Sequence, residues 1–189
     1  MKQAKTLTEA ELKRLFAVVR NGKHALRNEV ALSLSFWAGL RVCEISSLKI
    51  NDIYDYEGRP KDIVRLVPSQ TKGASHRTIF INDKLKKLLF KYYERQNLSN
   101  RDLPLIPSQK NRTHFSPNSL CQLFKRLLIS AGFNEGSSHS GRRTFITNLA
   151  NKSVNAKVIM TLAGHKNLAT TQRYIEVREE QLTLAVNLV

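Results

Sequence analysis

A dispersed cationic set closes on a tyrosine in this sequence: Arg41, Lys72, the run His139-Ser140-Gly141-Arg142, the pair Gly164-His165, and Tyr174. Arginine, lysine and histidine side chains can grip a phosphate and a tyrosine hydroxyl can attack it, with no metal required. His139 and Arg142 stand three apart. On a helix starting near Ser138 or Ser140 that spacing puts them on one face, close to the unpaired amides of the helix N-terminus. The stripe Phe145, Ile146 and Leu149 extends back to Arg142, so this guanidinium faces the core and has to meet an anion, either a protein carboxylate or a ligand phosphate.

Each residue taken singly also has an ordinary structural explanation. Glu44 follows Arg41 at i+3 and can pair with it on a helix face. Lys72 sits in a Thr-Lys-Gly turn, where lysine is usually solvated. His165 after Gly164 can close the helix carrying Val158, Ile159 and Leu162, and Tyr174 can be a core aromatic.

The elements that must position these residues are mostly helical. Thr8 and Glu11 form a capping box, with Leu7 and Leu12 as a staple, ahead of a helix from Glu9 to about Arg20. Residues 25–38 read as a buried helix that Gly39 breaks just before Arg41, and a short helix carrying Val42, Ile45 and Leu48 follows. Residues 63–67 and 78–81 are β-branched segments around a polar turn holding Lys72, which predicts a small antiparallel sheet. Asp83 is expected to cap a helix through about Gln96, Ser116-Pro117 opens another, and everything beyond Gly136 reads helical. The fold class is therefore mainly α with a small antiparallel β-sheet, and no repeat or linker divides residues 1–189, which predicts a single domain.

Composition narrows the partner. The 189 residues carry 31 Lys and Arg against 15 Asp and Glu, a formal charge of +16, which calls for a polyanion. The bases run from Lys2 to Arg178 rather than along one amphipathic segment, favouring nucleic acid over a membrane surface. No apolar run approaches the roughly eighteen residues needed to span a bilayer, and Cys43 and Cys121 read as buried free thiols, so a cytoplasmic protein is expected. HExxH, CxxC and nucleotide-binding glycine motifs are missing, and the C-terminal half is poor in the converging carboxylates of a two-metal nuclease. No cofactor or metal is expected.

Taken together, order and spacing resemble the tyrosine recombinase, or phage integrase, family. Gly39-Leu40-Arg41-Val42-Cys43-Glu44-Ile45 is similar to its first arginine box, Thr71-Lys72-Gly73 with Arg77-Thr78-Ile79 to its lysine hairpin, and His139-Ser140-Gly141-Arg142 to its His-x-x-Arg box. Leu162-Ala163-Gly164-His165, with Tyr174 nine residues later, resembles its final box. Arg143 stands where the family often has a second histidine, and Gly141 and Ala163 stand where leucine is commoner.

The resemblance implies a tyrosine recombinase catalytic-domain fold without the family's usual N-terminal clamp domain, and site-specific strand cleavage and religation on double-stranded DNA. It also implies a homotetramer on paired sites, with a monomer possible without DNA, and a C-terminal segment docked on its own core or on a neighbouring protomer. Tyr174 would be the nucleophile, Arg41 and Arg142 the phosphate clamps, Lys72 the general acid, His139 the general base and His165 a further phosphate donor. The alternatives are a non-catalytic DNA-binding regulator on the same scaffold and a type IB topoisomerase-like relaxing enzyme.

Overall fold

The computed structural model of the chain describes residues 4–71, 75–96, 100–109, 112–175 and 179–187, so Lys72 lies outside the described residues. Helix α1 (Glu9–Arg20) starts with the expected capping box: the Thr8 hydroxyl accepts from the Glu11 amide, and the Glu11 carboxylate accepts from the Thr8 amide at 2.9 Å. Leu7 is buried. Its amide donates to Thr144 Oγ1 at 3.0 Å, tying the start of the chain to a helix far along the sequence.

Helix α2 (Ala25–Ala38) is the spine. Every residue from Arg27 to Phe36 is buried, and α1, α5 (Asp83–Arg95) and α7 (Ser140–Asn151) all pack on it. A helix this apolar has to be covered on all sides. Gly39 ends it in the left-handed region at φ 66°, and a Cβ there would lie 2.5 Å from Phe145 Cδ1, so both backbone and space demand glycine.

The chain then makes α3 (Val42–Ser47) and a single further turn, α4 (Ile50–Ile53), that the periodicity did not foretell. Strands β1 (Ile63–Leu66) and β2 (Arg77–Phe80) pair antiparallel, with Val64 opposite Ile79 and Leu66 opposite Arg77. Burial alternates along both, which puts Arg77 and Ile79 on the covered face of β2. Helix α5 is capped by Asn82, whose side chain accepts from the Leu85 amide at 2.9 Å. Asp83, the expected cap, is the first helical residue instead. The difference is one of backbone: Asn82 has the extended φ and ψ (−78°, 162°) that a cap requires.

Helices α6 (Pro117–Ser130), α7, α8 (Ala156–Ala163), α9 (Leu168–Gln172) and α10 (Glu179–Val186) complete a mainly α fold with one small antiparallel sheet. The main core runs from α1 through α6. A smaller cluster of Ile146, Ala150, Ile159 and Ala163 joins α7 to α8, with Tyr174 and Ile175 against it. Cys43 and Cys121 are free, and half-buried rather than buried. On α10, Leu182 and Val186 are 56% and 70% exposed, so these apolar side chains do not dock on the chain's own core. Among the described residues, no helix is long and apolar enough to cross a membrane.

Helices α2 and α7 come close at Gly141, where an added Cβ would lie 2.5 Å from Ser35 Oγ and 2.8 Å from Ser35 Cβ. Overpacking costs about 1–3 kcal/mol and exceeds the ~1 kcal/mol that alanine gains over glycine in a helix. Gly141→Ala is therefore expected to lower the urea midpoint at unchanged m-value; a raised midpoint would show that the two helices separate without cost.

Candidate active site

Four helix ends and one strand end converge on the cationic residues. The C-terminus of α2 delivers Gly39, the N-terminus of α3 follows Arg41, the first turn of α7 carries Arg142, and the C-terminus of α8 presents three successive carbonyls. Each of those carbonyls meets a guanidinium. Leu162 O accepts from Arg77 Nη2 at 3.0 Å, Ala163 O accepts from Arg142 Nη2, and Gly164 O accepts from Arg41 Nη2 at 3.5 Å. A helix C-terminus leaves its last carbonyls unpaired and carries the negative end of the helix dipole, so cations there are favourable.

Gly39 O is shared in the same way. It accepts from Arg142 Nη1 at 2.8 Å and from Arg77 Nη2 at 3.2 Å. The left-handed turn at Gly39 thus both ends α2 and aims one carbonyl at two arginines.

Glu44 is the carboxylate at the centre, fully buried. Its Oε1 accepts from Arg41 Nη1 at 2.9 Å, while its Oε2 accepts from the Arg41 amide at 2.7 Å and from Arg77 Nη1. Burial alone would raise its pKa; the Arg77 charge, the Arg41 amide and Arg41's own charge outweigh that and hold it below the usual carboxylate range. The expected Arg41 to Glu44 pair is present, but Arg77 takes the other oxygen.

Two guanidiniums therefore share one carboxylate, and Arg142 is a third that makes no bond to it. Arg142 is only 7% exposed and its assigned partners are neutral carbonyl oxygens. Burial, then Arg41 and Arg77, push its pKa down to about 9. A buried guanidinium with excess positive charge around it is stabilised by a bound anion. His165 reports the same field: burial, then Arg142, Arg41 and Arg77, push its pKa down to about 4, so the ring is neutral near pH 7. Its Nδ1 lies 2.9 Å from the hydroxyl of the fully buried Thr171.

A cavity of about 430 Å³ opens here, lined by Arg41, His76, Arg77, His165, Lys166 and Thr170 among others. Thr71 and Ser75, on either side of the segment holding Lys72, also line it. Tyr174 lies in the turn just after α9, with its ring 6.1 Å from that of His165 at an interplanar angle of 23°. It lines a neighbouring cleft of about 300 Å³ together with Arg143 and Arg173.

Arg41, Arg142, His165 and Tyr174 are thus brought together. His139 precedes α7 as its cap residue and is exposed. The helix begins at Ser140, and His139 has right-handed helical dihedrals (φ −90°, ψ −13°) with its carbonyl accepting from the Arg143 amide at 2.9 Å, so the helical register reaches back to it. Among the described residues, no three His, Cys, Asp or Glu side chains converge as metal ligands.

Two residues of the site were not singled out from the sequence. Arg77 had a readable signal, because it alternates with Ile79 in the covered phase of β2, and an arginine in that phase needs a buried partner. Thr171 had none beyond its place between His165 and Tyr174.

The family model described as the phage integrase family matches residues 5–181. Tyrosine recombinase XerA of Pyrococcus furiosus is 31% identical over 182 residues, covering 96% of this chain and 60% of that protein. XerA of Pyrococcus horikoshii is 34% identical over 185 residues, again covering 96% of this chain and 60% of the relative. The chain thus spans about 60% of the length of these curated relatives. Among solved structures, a XerA recombinase superposes with a TM-score of 0.77 at 23% identity, covering 100% of this chain and 66% of that one. The Tn1549 transposon integrase in complex with circular intermediate DNA superposes with a TM-score of 0.75 at 18% identity, covering 99% of this chain and 67% of that one. At such identities the superpositions establish the fold. The match to the family model, over a range that holds every residue of the arginine cluster and the tyrosine beside it, makes this chain a member of the phage integrase family.

Proposed function

We propose that the chain is the catalytic domain of a tyrosine-type site-specific recombinase that cuts and rejoins double-stranded DNA. The observation that carries this is the three-to-one ratio of guanidiniums to carboxylate around a cavity with a tyrosine beside it. That ratio leaves a site built to receive an anion next to a group able to attack it.

In this reading, Tyr174 Oη attacks the scissile phosphorus. The bond from phosphorus to the 5′ oxygen breaks, and the DNA 3′ end becomes a phosphotyrosyl ester. Arg41 and Arg142 hold the non-bridging oxygens, where fixed donors stabilise the charge of the pentacovalent transition state. Lys72 gives the leaving 5′ oxygen its proton, and the tyrosine proton passes to His139. Lys72 takes this role from the lysine-hairpin resemblance, supported by Thr71 and Ser75 lining the cavity. His165, neutral near pH 7, donates from Nε2 to a phosphate oxygen if Thr171 donates to its Nδ1. The ester retains the energy of the phosphodiester, so attack by a new 5′ hydroxyl rejoins the strand without a nucleotide cofactor.

DNA as partner is supported by the formal charge of +16 and by structural neighbours described as DNA complexes, such as XerH bound to its difH substrate. A homotetramer on paired sites is the proposed working assembly, with the exposed apolar face of α10 covered by a neighbouring copy. In this reading residues 1–189 form one catalytic domain acting in the cytoplasm with its DNA.

The test is covalent capture. The protein is incubated with a pool of nicked duplexes of randomised sequence, in which the released fragment diffuses away and traps the intermediate. A band resistant to denaturing electrophoresis, with the label on the fragment 5′ of the cut, whose 3′ end carries the phosphotyrosyl ester, is the expected result. DNA binding without any adduct would make the chain an occupancy regulator, and plasmid relaxation without exchange between sites would make it a topoisomerase.

A further inference from the structure

Arg143 directly follows the phosphate-clamping Arg142 on α7, and successive helical residues point about 100° apart. Arg142 turns inward to Gly39 O and Ala163 O, whereas the Arg143 guanidinium carbon lies 5.5 Å from the centroid of the Tyr174 ring. The tyrosine ring also stacks near His165, and it shares a cleft with Arg143, Thr147 and Arg173. The local tether of Tyr174 is slight. It follows a five-residue helix, and its amide donates to Thr171 O at 3.0 Å. What fixes the direction of its hydroxyl is therefore the set of groups against its ring.

We infer that Arg143 is a positioning residue for the nucleophile: its guanidinium, set against the Tyr174 ring, makes α7 carry both the grip on the phosphate and the hold on the group that attacks it. This rests on the reading of Tyr174 as nucleophile. Two physical consequences follow from a cation against a phenol ring. The ring quadrupole attracts the guanidinium and restricts the ring's rotation. As the hydroxyl loses its proton to the base, negative charge spreads into the ring, and the nearby cation stabilises the attacking form more than the resting one. A histidine at this position would provide a cation only when protonated, whereas arginine provides one at every pH.

The experiment uses the full chain and the nicked duplexes recovered by covalent capture. Arg143→Gln is expected to slow single-turnover adduct formation about tenfold, in the range of a partly desolvated cation–π contact, with unchanged DNA affinity. Arg143→Lys is expected to recover most of that rate. In protein carrying fluorotyrosine, the fluorine resonance assigned to Tyr174 through Tyr174→Phe should move in Arg143→Gln and return in Arg143→Lys. If the glutamine variant unfolds, the uncharged Arg143→Met replaces it. An unchanged rate in a folded uncharged variant, or a resonance that does not move, overturns the inference. If the unmodified chain forms no adduct at all, the recombinase reading fails, and the resonance alone then decides whether Arg143 holds the ring.

Discussion

Tyr174→Phe is expected to abolish the covalent protein–DNA adduct, by about three orders of magnitude or more, as loss of an attacking nucleophile does, while DNA affinity changes little. The substitution removes one oxygen. The ring that lies beside His165 and Arg143 stays, and so do the arginines that supply the electrostatic attraction. The other tyrosines give no substitute. Tyr54 and Tyr92 are buried and donate to Leu89 O and Leu105 O, each at 2.9 Å. Tyr93 lies against Tyr54, and Tyr56 is set against Arg101 on the surface. None of these four is beside the arginine cluster, so a persistent adduct in the phenylalanine variant would mean that a non-tyrosine group attacks. Denaturing electrophoresis of the captured complex reads the first quantity, and fluorescence anisotropy at matched salt the second.

The elements were legible in the sequence where the signal is local. The capping box at Thr8, the breaker at Gly39 and the β-branched segments that pair as β1 and β2 each depend on neighbours within a few residues, and each forms within a residue of where it is read. The cap of α5 was misplaced by one residue, because Asn82 and Asp83 are both good caps and only the backbone conformation chooses between them. The site was legible as a set of types but not as a circuit. Arg41 and Glu44 are local and were paired correctly, whereas the link from Glu44 to Arg77 spans 33 residues and that from Arg142 to Gly39 spans 103. Such contacts are created by how α2, α7 and α8 cross, which no window of sequence contains. The helix start near Ser140 was local too: His139 caps α7, and its carbonyl accepts from the Arg143 amide at 2.9 Å.

That circuit makes Glu44 the position where a single substitution should cost the fold most. Glu44 is fully buried and accepts from Arg41, from the Arg41 amide and from Arg77. Removing one member of a buried ionic network leaves its partners charged and unmatched, at a cost of about 3–5 kcal/mol, a large share of the roughly 5–15 kcal/mol that stabilises a domain. Glu44→Ala leaves two guanidiniums without their carboxylate and Arg142 without its nearest source of negative charge. The expected outcome in urea is a loss of that size, with a midpoint that rises again when sulfate or phosphate is added, because the anion takes the carboxylate's place. Pairing the change with Arg77→Met should return part of the loss, since a buried pair replaced by apolar groups can be nearly neutral. Acid should act in the same direction on the unmodified protein. The Glu44 pKa is lowered in the folded state, so its stabilisation is complete above the ordinary carboxylate range and falls away as pH drops through and below it. A Glu44→Ala variant within about 1 kcal/mol of the parent, the upper end for an exposed ion pair, would mean that the arginines are solvated well enough to need no anion. In that case the cavity beside them would lose its claim to bind one.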